Sequence, residues 1–161
     1  MESRRIYEGL MRCENGAADL YLDLSTRFSD RADVSWFWVE IAMEDKQQAG
    51  LLHHCLEEQV FAEELPTLEE ITSVQNRLEK LRAKLAGSAP NLDDAFAMAI
   101  QLTASQAEHM CQRLTAPISS PLHLVRKKFE LSKQTHAHKL KEAARRFGAS
   151  SEITSQLDEL V

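Results

Sequence analysis

Residues 34–55 read VSWFWVEIAMEDKQQAGLLHHC. Val34, Phe37, Ile41, Asp45, Gln48, Leu52 and Cys55 recur at steps of three and four, the spacing of one face of an α-helix. That face is apolar at both ends and polar at Asp45 and Gln48. A buried polar group is costly unless it is paired, so these two residues demand polar partners from neighbouring elements. The preceding segment supplies a candidate. A helix expected over 3–28 carries Ile6, Leu10, Cys13, Ala17, Leu20, Tyr21, Leu24 and Phe28 along one side, with Glu14 interrupting near its middle. The link Ser29-Asp30-Arg31-Ala32-Asp33 is short and polar, and Asp33 is the expected cap of the second helix. So short a link makes the two helices antiparallel neighbours. The second helix is expected over 34–64, ending before Pro66.

The rest of the chain continues the pattern. Thr67-Leu68-Glu69-Glu70 is a capping-box signature opening a helix over 67–86, with Gly87 expected in the left-handed position past its end. Asn91 caps a helix over 91–115, striped by Leu92, Phe96, Ala99, Thr103, Gln106, Met110 and Leu114. Ser120-Pro121 opens a helix over 121–147, where proline at the first position loses no hydrogen bond. Its stripe is Leu122, Val125, Phe129, Ser132, His136, Leu140, Ala143 and Phe147, and Gly148 ends it. A short amphipathic helix over 151–160 follows. No segment alternates with period two over a strand's length. The expectation is one all-α domain over 1–161: a four-helix bundle of two antiparallel hairpins, a helical crossover and a short C-terminal helix, the ferritin-like arrangement.

The 161 residues include 43% apolar and 27% charged side chains, an ordinary globular composition. No apolar run reaches the length of a membrane span, and the start, MESRRIYEGL, has no secretory leader pattern, so a cytoplasmic address is expected. Cys13, Cys55 and Cys111 are odd in number, widely spaced and on apolar stripes, which suits core filler better than disulfides or a zinc knuckle. Net charge is −6, yet residues 121–147 hold eight basic against two acidic side chains. Glu57–Glu58, Glu63–Glu64 and Glu69–Glu70 form opposed acidic pairs. Basic residues are not interleaved with aromatics on an overall basic domain, so no nucleic-acid partner is expected.

Each of the four long helices interrupts its stripe near the centre: Glu14 on the first, Asp45 and Gln48 on the second, Thr103 on the fourth, Ser132 and His136 on the fifth. The two hairpins overlay, Glu14 falling on Thr103 and Gln48 on His136, with Asp45 on Lys133. One shared polar layer follows. The stretch Glu14-x-x-Ala17-x-x-x-Tyr21-x-x-Leu24, then Phe37-x-x-x-Ile41-Ala42-x-x-Asp45-x-x-Gln48-Ala49, resembles the first helical hairpin of rubrerythrin-like proteins of the ferritin superfamily. The resemblance covers residues 10–55 well and 92–147 weakly. It implies a bundle that binds two irons and handles peroxide, oxygen or ferrous iron, with Glu-x-x-Ala-x-x-x-Tyr and Leu-Ala-x-x-Glu-x-x-His-Ala as the ligand-bearing motifs.

The departures decide what to expect of the site. Glu14 agrees with the family. Asp45 keeps a carboxylate, Gln48 stands for histidine, and Thr103 stands for a second glutamate. Lys133-x-x-His136 keeps only the imidazole, and the alternative frame Thr135-x-x-His138 does no better. Gln and Thr offer weak neutral oxygens and Lys a repelling charge, so a full di-iron centre is not expected. The preferred expectation is a vestigial polar layer in a structural or interaction protein without cofactor, Glu14 hydrogen-bonding to Gln48, Thr103 or Tyr21. The alternative is a metal-dependent oxidoreductase or iron- or peroxide-handling protein with one iron or other divalent ion on Glu14, Asp45 and His136. Lys133 can instead stand in for the missing cation. Glu44 is expected in solvent, and His53-His54 at the surface because adjacent residues diverge by about 100° on a helix. His136-x-His138-Lys139 is a poor match to a phosphotransfer motif. Trp36, Phe37 and Trp38 cannot share a face, so one must point outward, and a homodimer is expected.

Overall fold

The computed structural model describes residues 2–118 and 136–160. Among them the protein is all-α with no strand. Its helices are α1 (Glu2–Arg27), α2 (Ala32–Glu58), α3 (Leu68–Gly87), α4 (Leu92–Ala104), α5 (Ala107–Thr115), α6 (His136–Phe147) and α7 (Ser151–Leu160). The expected start of the 121–147 helix, with Ser132 and Lys133, lies outside the described residues. No described helix is long and apolar enough to cross a membrane.

α1 and α2 pack along their lengths, and α3 lies against α1. The close approach of α3 explains one glycine. A Cβ at Gly9 would stand 2.8 Å from Ile71 Cγ2, inside van der Waals contact with a buried, β-branched side chain. The other end of the molecule is aromatic. Trp38 stacks on Tyr21 with centroids 5.8 Å apart, and packs against Phe37 and Phe96 at 5.0 and 5.2 Å. Phe147 of α6 meets Phe37 edge-on at 5.8 Å. With α4 packed against both α6 and α7, this cluster gathers four elements, burying large apolar area that dominates core stability.

Thr67 and Asn91 begin their helices as full capping boxes with Glu70 and Asp94, and Gly148 takes φ 82° past α6. Four boundaries differ from the sequence expectation. α2 begins after Arg31, without a side-chain cap; Asp33 lies inside it and accepts from the Val34 N–H at 2.9 Å. Gly87 stays within α3, followed by an extended Ser88. α2 stops at Glu58, not 64, where Gln59 turns left-handed at φ 56° and Val60 N donates back to Cys55 O at 3.0 Å. The chain gains by leaving the helix there. The Tyr7 hydroxyl accepts the Ala62 N–H at 2.8 Å, donates to Leu114 O at 2.7 Å, and its ring packs edge-on against Phe61. The fourth boundary matters most for function. The helix expected over 91–115 breaks at Ser105-Gln106, with Gln106 at φ 63°. Gln106 is exposed, not on the buried stripe.

Candidate functional site

Glu14 of α1 and Asp45 of α2 face each other because their helices are antiparallel neighbours and both residues sit mid-stripe. Each is 3% exposed. His136, at the start of α6, closes the site from a third direction and is 6% exposed. The sequence thus names the three residues the fold brings together. Of the two frames open to α6, His136 is the inward one, while His138 is exposed.

Two further carboxylates join them. The break after α4 re-aims the chain so that Glu108 of α5 lines the same space, with Glu108 Oε2 accepting the His136 backbone N–H at 3.4 Å. It lines the pocket together with Thr103. Glu44 is turned inward rather than into solvent: its Oε2 lies 3.0 Å from His136 Nε2, and its Oε1 contacts Lys139 Nζ. Asp45 Oδ1 lies 3.6 Å from the same His136 Nε2. A tight pocket of about 30 Å³ lies among Glu14, Tyr21, Asp45, Thr103, Glu108 and His136. That is room for a water or a small ion.

The polar atoms around this space do not satisfy one another. Glu14 and Asp45 lie close enough for each to act on the other's carboxyl. Glu14 Oε1 and Asp45 Oδ2 have no partner among the described residues, nor do Gln48 Oε1, Thr103 Oγ1 and His136 Nε2. His136 Nε2 is near two carboxylates, but neither is aligned for an N–H···O bond. Among the described residues the expected hydrogen bond of Glu14 to Gln48, Thr103 or Tyr21 is not made; Asp45 is the neighbour that bears most on its carboxyl. Buried groups left unpaired cost about 1–3 kcal/mol each, so four around one pocket, with Gln48 about one turn further along α2, favour a ligand, water or proton there.

Burial dominates the electrostatics. It pushes the Glu14 carboxyl well above its usual range, with the neighbouring Asp45 and Glu108 charges adding and His136 opposing. Burial likewise lifts Asp45 to about 7. Tyr21 is raised for the same reason, its hydroxyl facing a field of carboxylates. Metal-free, the site holds its carboxyls partly as acids; a cation would draw their protons off.

Donor atoms on one metal ion at bond lengths of about 2.0–2.2 Å stand roughly 3.0–3.5 Å from each other, comparable with the His136–Glu44 and His136–Asp45 separations. Even so, among the described residues no three His, Cys, Asp or Glu side chains are arranged as a ready-made ligand set. Cys13, Cys55 and Cys111 are buried and free. Cys13 touches the pocket, its thiol pushed up to about 12 by burial. His53 lies at the surface beside Glu57 at 3.1 Å. The sequence signals Glu108 only through the polar run Thr103-Ala104-Ser105-Gln106 that weakens an otherwise apolar helix. Glu44 carries no signal beyond adjacency to Asp45. No protein-family model, curated protein or solved structure matches this chain.

Proposed function

We propose that the protein is a ferritin-like four-helix bundle of the rubrerythrin kind whose centre has been reduced to bind one divalent cation, held by Glu14, Asp45 and His136 with Glu108 as a fourth donor. The observation that carries this reading is the group of four unpartnered buried polar atoms, on Glu14, Asp45, Thr103 and His136, around one ion-sized pocket. A carboxylate pair buried this deeply repels itself when ionised; a dication turns that repulsion into attraction. Imidazole and carboxylate donors suit iron, manganese, cobalt or zinc. Two irons do not fit a pocket of about 30 Å³, and Gln48 and Thr103 supply only neutral oxygens in place of further anions. Iron in this place would supply redox and Lewis-acid chemistry. The chain's own part is to orient His136 through Glu108, to exclude bulk water by the apolar packing of Ala17, Val74 and Leu78, and to hold a proton on Tyr21.

Equilibrium dialysis against Co²⁺, Mn²⁺, Zn²⁺ and anaerobic Fe²⁺ tests the proposal. About one equivalent per chain is expected for at least one metal, lost in Glu14→Ala and kept in Glu57→Ala at the surface. Less than a tenth of an equivalent of every metal overturns it. A second reading, a metal-free structural or interaction module, is favoured by the lack of a ready-made three-ligand set among the described residues; under it Glu14→Ala alters stability alone. Either reading is compatible with a homodimer, because Trp36 and Met43 of α2 are 63% and 51% exposed at heptad spacing.

A further inference from the structure

Outside the buried pocket, α2 and α6 enclose an open groove of about 170 Å³ lined by Phe37, Glu40, Glu44, Lys139, Glu142 and Arg146. Glu44 belongs to both places. One carboxylate oxygen faces the inner His136 at 3.0 Å, and the other is held by the Lys139 ammonium. Lys139 is one turn beyond His136 on α6, so its charge arrives on the same face as the imidazole. Its side chain is 26% exposed and that of Glu44 21%. The pair is therefore shielded enough for its geometry to be held, unlike a fully solvated surface pair.

Among the described residues Glu14, Asp45 and Glu108 line the inner pocket, and Glu44 reaches His136 from the groove side with one oxygen already taken by Lys139. We infer that Lys139 is a built-in counter-cation: its ammonium holds one oxygen of Glu44 and neutralises the carboxylate beside His136, limiting the site to at most one weakly held metal ion. The inference rests on the metal-binding reading above but concerns a different residue and a different observation. Lys139 acts through Glu44 and touches no metal itself, which makes it a positioning residue. An ammonium cannot bridge donors as a dication does, since it only donates hydrogen bonds. Its presence thus neutralises charge without supplying metal chemistry. Replacing it by a neutral chain of similar length leaves Glu44, already 3.0 Å from His136 Nε2, with its full charge and both oxygens free for a cation.

The test is Co²⁺ binding by isothermal calorimetry and d–d absorption with the full chain and four variants: Lys139→Met, Lys139→Arg, Glu44→Gln and the Lys139→Met/Glu44→Gln double variant. Lys139→Met is expected to bind Co²⁺ at least tenfold more tightly than the parent or to take up a second equivalent, with a changed visible spectrum. Lys139→Arg keeps the charge and behaves as the parent. In the double variant the gain disappears, because the carboxylate that was freed is no longer there. If Lys139→Met binds within twofold of the parent at unchanged stoichiometry, the inference fails while the single-ion reading stands. If the parent binds nothing and Lys139→Met binds Co²⁺, the single-ion reading fails and the inference stands. A gain that persists in the double variant overturns the inference, since Glu44 would not be its route. Should Lys139→Met fold poorly, Lys139→Gln carries the same comparison, and parent-like binding in it is equally fatal.

Discussion

Asp45 lies between Glu14 and His136 at the buried pocket, and its titration sets the pH behaviour of the site. In the metal-free native state burial lifts its carboxyl from 3.8 to about 7, while an unfolded chain releases the proton near the ordinary value. Between about pH 4 and pH 7 the native state therefore binds more protons than the unfolded one. The unfolding free energy must fall as pH rises through that window and level off above it. The loss is of the order of a few kcal/mol, at about 1.4 kcal/mol per tenfold change in proton affinity. Glu14 is displaced in the same direction. Urea denaturation at pH 5 and pH 8 checks this: the metal-free protein should be the more stable at pH 5, and Asp45→Asn should flatten the difference. With metal present the sign reverses, because binding releases the same protons. Co²⁺ affinity should rise at least tenfold from pH 6 to pH 8. Glu14 and Asp45 are readable from stripe spacing, and His136 as one of two frames shared with His138. Glu44 and Glu108 are not, because one turns inward by a side-chain rotation and the other arrives through a backbone break that no glycine or proline announces.

At the scale of elements, two glycines on the same helical hairpin make opposite predictions. Gly9 is pressed against Ile71, whereas a Cβ added at Gly50 on α2 would meet nothing within 4 Å. Alanine favours a helix interior by roughly 0.8–1.0 kcal/mol over glycine. Gly50→Ala should therefore stabilise the protein by about that amount. In Gly9→Ala the same gain is opposed by overpacking, typically about 1–3 kcal/mol, and net destabilisation is expected in chemical denaturation. The break between α4 and α5 makes a third case. Gln106 holds a left-handed conformation that costs a non-glycine residue roughly 1–2 kcal/mol. Gln106→Gly should recover about 0.5–1 kcal/mol after the extra freedom of glycine in the unfolded chain is counted, and should leave metal uptake unchanged because the turn aiming Glu108 is kept. Helix faces are legible in the sequence because their periodicity is a local property. The ends of α2 and α4 are not, because each is set by a distant partner: Tyr7 drawing Ala62 and Phe61 across the end of α1, and the packing that lets Glu108 reach α6.

The whole molecule combines an aromatic end built from Tyr21, Phe37, Trp38, Phe96 and Phe147 with a polar waist just above it on the same helices. The aromatic cluster fixes the spacing of α1, α2, α4 and α6, and with it the separation of Glu14, Asp45 and His136. Truncating Trp38 to Ala should cost about 3–5 kcal/mol, the range for large aromatics in a core, and should weaken metal binding without touching a ligand. Parallel thermal melts and Co²⁺ titrations read both effects. The exposed Trp36 is the opposite case: Trp36→Ser should leave stability and metal binding unchanged and, under the homodimer reading, halve the mass seen by light scattering. The central claim, one cation where a binuclear cluster would otherwise stand, is tested most directly by anomalous diffraction from crystals grown with saturating Co²⁺. A single-cation site gives one peak within bonding distance of Glu14, Asp45 and His136. No peak there, or two peaks bridged by carboxylates, contradicts it.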